Sequence, residues 1–215
     1  MAGEVATLDT RLAALGLRRL GERALAPGEG AEPGEARLLL LGPDEARFWP
    51  VFAQSPEYRD GAPDPLDRWS RRTLGDLART VGGRAVFPFD VPPFLPFQRW
   101  AVETGRIFVS PVHLLVDATS GLWVSIRGAL VLPGAARPAS GSSPCATCAD
   151  QPCRSACPVA ALTPEGYDVP ACKAHVARPE GTPCRTSGCR VRAACPVGRD
   201  LRRPAQAEFH MEAFL

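Results

Sequence analysis

All eight cysteines of this 215-residue chain fall between residues 145 and 195, and the 144 residues ahead of them contain none. A break in composition this sharp marks a domain boundary. Thiols crowded so closely in a chain without an export signal point to metal binding or redox chemistry.

The spacing narrows that choice. The first group reads Cys145-x2-Cys148-x4-Cys153-x3-Cys157-Pro158, and the second Cys172-x11-Cys184-x4-Cys189-x5-Cys195-Pro196. Both end in Cys-Pro, so they form a pseudo-repeat. The ferredoxin run is C-x2-C-x2-C-x3-C-P, in which the fourth cysteine ligates the other cluster when two are present. Here its start and finish are intact, with two residues inserted in the middle. A cubane needs four thiolates around one compact body, so three close cysteines on a loop supply one face and a distant cysteine closes it. The proline after the last ligand turns the chain away without leaving a backbone donor unpaired. Ligand exchange between the groups then gives Cys145, Cys148, Cys153 and Cys195 to one 4Fe-4S cluster. Cys157, Cys172, Cys184 and Cys189 go to the other, and all eight thiols are used. Three other readings remain open: a zinc site, which favours two C-x2-C pairs where this chain has one; four disulfides, which need an oxidising compartment; and one cluster with four spare thiols.

The N-terminal segment carries Glu4 and Asp9 and lacks a positive n-region and a long apolar core, so it does not read as a secretory signal. No apolar run approaches the roughly 18 residues of a membrane span. The expected location is the cytoplasm, away from membranes. With 25 basic and 23 acidic residues the formal charge is +2, and from residue 141 onward there are nine basic and seven acidic residues. That balance argues against a nucleic-acid partner.

Along the chain, the periodicity predicts a helix over 8–25, a strand at 37–41 closed by Gly42-Pro43, and a helix over 44–54. A further helix is expected over 66–81, carried by Leu66, Trp69, Leu74, Leu77 and Val81 and stopped by Gly82-Gly83. A strand at 84–89, a helix near 96–103 and two strands within 107–132 joined by a turn at 117–121 complete the pattern. Residues 1–140 thus form an α+β or α/β domain with a mixed sheet, large enough to hold a cofactor. The Pro-, Gly- and Ser-rich stretch 133–144 reads as a linker, and 141–215 as a small dicluster, ferredoxin-like domain with a C-terminal tail able to pack back as a helix. Arg127 lies on a strand among apolar residues and requires an anionic partner, either a bound group or an internal acid.

The order of a cofactor-sized domain, an apolar segment with Gly121-x-Trp123, and two cysteine groups ending in Cys-Pro resembles the epoxyqueuosine reductase family. Residues 113–134, HLLVDATSGLWVSIRGALVLPG, are similar to the matching segment of cobalamin-processing chaperones. CATCADQPCRSACPV, YDVPACKAH and GCRVRAACPVG resemble a class of small bacterial ferredoxin-like proteins. The likeness runs from about residue 66 to 200 and is strongest in the cysteine part. It implies an oxidoreductase in which two clusters pass electrons to cobalamin, or to FMN, or to a small-molecule substrate in the N-terminal domain. The electrons would come from a protein such as a flavodoxin or a ferredoxin reductase. It places Asp90, in PFDVPP, as a proton donor, and makes Arg127, Trp123 and His113 candidate cofactor contacts, the last as a cobalt ligand or proton donor. Each has a structural alternative: a turn-opening aspartate, an internally paired arginine, a core tryptophan, a hydrogen-bonded histidine. His175, three residues past Cys172, either bonds a cluster sulfur or faces solvent. The reductases carry Gly-Lys-Asn where this chain has Val109-Ser110-Pro111, and they continue into a tRNA-binding helical repeat. A non-catalytic electron carrier or adaptor, and a cobalamin-processing protein, are the alternative functions.

Overall fold

A computed structural model describes residues 2–26, 29, 34–137, 139–201 and 204–215. The chain divides into two compact units, Met1–Ile107 with Ser125–Gly141, and Phe108–Val124 with Ser142–Leu215. In the first unit α1 (Ala2–Ala14) leads into β1 (Leu17–Ala24), β2 (Glu35–Pro43), the short helices α2 (Phe48–Phe52) and α3 (Pro56–Arg59), then α4 (Pro65–Thr80), β3 (Arg84–Val86) and α5 (Phe97–Glu103). After β4 (Ile107–Val109) and β5 (Leu115–Asp117), which pair in a sheet of their own, the chain returns as β6 (Gly128–Pro133).

The four-stranded sheet has the order β1-β2-β6-β3, and each of its pairings is antiparallel. The architecture is therefore α+β, and the mixed sheet expected from strand-then-helix alternation gives way to an antiparallel one. Leu38 to Leu41 of β2 and Ala129 to Leu132 of β6 are buried on both faces, as suits the two central strands. α4 lays Leu66, Trp69, Leu74 and Leu77 against this core, starts with Pro65 in its first turn, and is followed by Gly82 at φ 68°. The Trp69 ring meets Phe48 and Phe52 edge-on, at 5.4 and 5.9 Å between centroids, which pins α2 to α4. That short helix is all that forms of the one expected over 44–54, because residues 45–47 are a turn held by the Asp44 carbonyl.

The helix expected over 8–25 ends at Ala14. Gly16, at φ 66°, breaks it, and residues 17–24 form an edge strand instead. The register of β1 against β2 slips between Arg19 and Gly21, leaving Leu20 as the extra residue of a bulge. Leu17 and Leu20 consequently reach the core at a spacing of three, which imitates a helix in the sequence. Gly21 is required at the bulge: its φ is 153°, and a Cβ there would stand 2.6 Å from that of Thr104.

The stretch expected to be a free linker is tied down. The Arg137 N–H donates to Glu22 Oε1 at 2.7 Å and the Gly141 N–H to the Gly105 carbonyl at 3.0 Å, while Pro138 lies outside the described residues. Residues 108–124, counted by sequence with the first domain, group instead with the cysteine segment. The expected pair of strands joined at 117–121 is likewise split: β5 pairs with β4, whereas β6 pairs with β2 and β3.

In the second unit the strands β7 (Leu162–Thr163) and β8 (Gly166–Tyr167) form a small hairpin. The helices α6 (Val169–Val176), α7 (Thr182–Ser187), α8 (Arg190–Ala194) and α9 (Pro204–Phe214) follow. The tail does form a helix, α9, which packs against α7 and is tied to α6 by Lys173, whose ammonium lies 5.2 Å from the Phe214 ring centroid. Among the described residues no helix is long and apolar enough to cross a membrane.

Candidate metal centre

The cysteines sit on short turns and helix ends, where the backbone can bring several thiols to one place. Cys145 lies in a 3-10 turn, Pro144–Thr147, begun by Ser143, whose Oγ accepts the Cys145 N–H at 3.3 Å. Cys148 ends that turn, and Cys153 sits in a second one, Pro152–Arg154. Cys195 closes α8 about fifty residues away in sequence. These four thiols line one recess together with Ser110, Val116 and Leu122, with a cavity volume of about 20 Å3. Gly121, at φ 56°, makes the approach possible: a Cβ there would stand 2.9 Å from Cys195 Sγ and 2.2 Å from the Val197 carbonyl oxygen. The Asp117 carboxylate holds the turn that presents Gly121 by accepting the N–H groups of Thr119 and Ser120 at 3.1 and 2.5 Å. This gives the Gly-x-Trp element a local reason.

Cys157, Cys172, Cys184 and Cys189 are the thiols expected to form the second set. Cys157 Sγ accepts the Ala161 N–H at 3.2 Å. Cys172 rides on α6, whose first turn is capped by Asp168, accepting the Ala171 N–H at 2.9 Å. Cys184 is buried on α7, and Cys189 precedes the first residue of α8. The five-residue α8 thus carries a cysteine of each set, Cys189 at its start and Cys195 at its end. A rise of about 1.5 Å per residue puts their Cα atoms roughly 9 Å apart. The Arg192 guanidinium anchors this helix by donating to the Leu122 carbonyl at 2.5 Å.

Burial pushes the Cys145, Cys153, Cys172 and Cys184 thiols above their ordinary pKa. Neighbouring sulfur charges add to the rise, and they sort cleanly. Cys148 and Cys195 act on Cys145 and, with Cys145 itself, on Cys153. Cys157 and Cys189 act on both Cys172 and Cys184. Donors oppose the rise at all four sulfurs: the Ser143 hydroxyl at Cys145, the Cys153 N–H at its own sulfur, the Tyr167 hydroxyl at Cys172 and the Arg190 N–H at Cys184. Burial and the bond to Cys172 in turn raise the Tyr167 phenol.

Among the described residues no three His, Cys, Asp or Glu side chains form a group that could hold a metal ion. The first four thiols line one recess. A cubane spans more space than a single ion, and its thiolates stand correspondingly farther apart. The buried hydroxyl of Ser110, which lines the same recess, has no hydrogen-bond partner among the described residues. A polar atom buried in this way costs free energy unless an acceptor faces it, and a sulfur-rich group in the recess would supply one. On both counts the residues of the first set fit a cluster.

Three of the four residues singled out for an organic cofactor have other polar partners, and the fourth, Trp123, has its indole nitrogen buried without a hydrogen-bond partner among the described residues. Asp90 accepts the Phe87 N–H at 3.1 Å and pairs with Arg71 at 2.7 Å, so it closes the turn 87–90 and does not open one into the prolines that follow. Arg127, with 13 % of its side chain exposed, has Nη1 at 3.6 Å from Asp67 and donates from Nε to the Ile126 carbonyl. Its guanidinium lies 5.9 Å from the Phe89 ring centroid. Burial lowers its pKa and raises that of Asp67, while the charge of each partner acts to restore the other. His113 and Trp123 belong to the cysteine unit and not to the first. The exposed His113 has Nε2 at 2.7 Å from the Pro164 carbonyl, and the Trp123 ring lies against Gly188, about 3.1 Å from where a Cβ would be. His175 is half-buried on α6. Sequence reasoning missed Ser110, Ser143 and Arg190; Tyr167 stood in the quoted YDV motif, but no periodicity or spacing marked it as a sulfur donor. The chain matches no family model and no curated protein.

Proposed function

We propose that this chain is an iron-sulfur electron-transfer protein holding two 4Fe-4S clusters, one on Cys145, Cys148, Cys153 and Cys195 and one on Cys157, Cys172, Cys184 and Cys189. The observation that carries the proposal is the recess in which the first four thiols meet, despite a gap of some forty residues between Cys153 and Cys195. The division of sulfur charges into the same two sets supports it. When bound, the clusters supply single-electron transfer. The protein holds the sulfurs, donates hydrogen bonds to them and limits their exposure to water, and all of these set the potential. α8, with one ligand at each end, keeps the two clusters close.

The carrier reading is favoured over the corrinoid-dependent reductase, because Asp90, Arg127 and His113 are each engaged within the protein and Trp123 packs in the cysteine unit. The proposed setting is the reducing cytoplasm, where such thiols stay available, with a flavodoxin or ferredoxin-reductase type of electron donor. The test is to reconstitute the full chain anaerobically and follow its visible absorption during reduction and reoxidation, with cob(II)alamin and FMN offered separately on gel filtration. The expected result is reversible bleaching with neither cofactor co-eluting. Co-elution with a shift in the cofactor spectrum would restore the reductase reading, and an unresponsive spectrum would remove the redox reading.

A further inference from the structure

The β4-β5 connection, residues 110–114, closes on a three-residue loop, Pro111 to His113, flanked by Ser110 and Leu114, in which the Ser110 carbonyl accepts the His113 N–H at 3.0 Å and the Ser110 N–H donates to the Leu114 carbonyl at 2.8 Å. Loops of this length combine a tight turn with one left-handed residue. Serine at the first position and proline at the second suit the turn, and the left-handed residue is His113, at φ 59°. Glycine is the usual occupant of such a site, and histidine is among the few others that tolerate it. The bond from its ring to the Pro164 carbonyl holds His113 there. Both backbone groups of Ser110 are thereby used within the hairpin, and the residue is 4 % exposed. Its hydroxyl alone is left over, on the wall of the recess shared with Cys145, Cys148, Cys153 and Cys195.

We propose that Ser110 is a positioning residue for the first cluster, its hydroxyl donating a hydrogen bond to a cluster or ligand sulfur, with His113 fixing the turn that aims it. The proposal rests on the reading of this recess as a cluster site. A donor facing sulfur stabilises the more negative, reduced state, so it raises the reduction potential of that cluster. Serine suits the task better than a charged residue here, because the hydroxyl is small and adds no net charge to a site walled by Val116 and Leu122. The carboxamide or ammonium of a longer side chain would fill the recess it is meant to face.

The experiment is a redox titration followed by electron paramagnetic resonance on the reconstituted full chain, with iron and acid-labile sulfide measured on each sample. Ser110→Ala is expected to carry as much iron and sulfide as the unaltered protein and to show one of its two midpoints moved to lower potential, with the other unchanged. Ser110→Thr, which keeps the hydroxyl, is expected to return that midpoint towards its original position. Unchanged midpoints in the alanine variant would overturn the proposal, as would equal shifts in both variants or equal loss of iron from both, which would mark a packing role. Unaltered protein that takes up no iron and sulfide would instead overturn the cluster reading, and the role of Ser110 with it.

Discussion

Glu29 draws four donors onto one carboxylate: the Ala26 N–H, the Arg23 and Arg99 guanidinium groups and the Trp100 indole, at 2.5 to 3.1 Å. Burial by itself would raise its pKa, but the Ala26, Arg23 and Trp100 hydrogen bonds and the Arg23 charge outweigh that and hold it at about 2. A folded-state value below the ordinary 4.5 means the stabilisation is fully present above pH 4.5 and is lost as the pH falls towards 2. Allowing for screening by solvent, the contribution is about 1–2 kcal/mol. Glu29→Gln is expected to lose about that much in urea unfolding at pH 7 and to flatten the dependence of stability on pH between 4.5 and 2. An acid limb as steep as that of the unaltered protein would show that other carboxylates govern it. Nothing in the sequence around Glu29 announces this role, because its partners lie up to 71 residues away. Asp90 and Arg127, by contrast, were readable in part: Asp90 does bond a backbone N–H, though that of Phe87 behind it and not one in the segment after it, and the buried Arg127 finds an internal acid. Which acid would be found depended on how α4 packs, which local pattern does not encode.

At the scale of elements, α8 is flanked by Cys189 and Cys195, which the proposed assignment gives to different clusters. Removing Cys189 and removing Cys195 should therefore be equivalent in amount and different in kind. Each of Cys189→Ala and Cys195→Ala is expected to retain about four iron atoms per chain in place of about eight. The two variants are expected to give distinguishable paramagnetic resonance spectra, because each keeps the cluster the other loses. Identical spectra would contradict the assignment of ligands. The cysteine spacing places a member of each proposed set on either side of this segment, and nothing in its five residues marks it as a helix. α4, β2, α5 and α9 were legible, since each has an apolar stripe or run bounded by Pro or Gly. β1 was not, because its bulge moved Leu20 to a helix-like spacing from Leu17, and period alone cannot separate the two cases.

At the scale of the whole molecule, the two units are interleaved in sequence. Phe108–Val124 leaves the first, supplies Val112, Val116 and Leu122 to the core that contains Cys153 and Cys195, and the chain then returns to complete the first sheet as β6. The break in cysteine content located one crossing, near residue 141, and missed the other two, because residues 107–132 are rich in apolar and β-branched residues on both sides of them and no local signal says which core each part joins. That excursion is what gives the first cysteine set its walls, Gly121 its close approach to Cys195 and Ser110 its place in the recess. The most direct measurement of the central claim is the metal and sulfide content of the full chain purified without oxygen. Two clusters predict about eight iron atoms and about eight acid-labile sulfides per chain, and zinc without labile sulfide would contradict the claim.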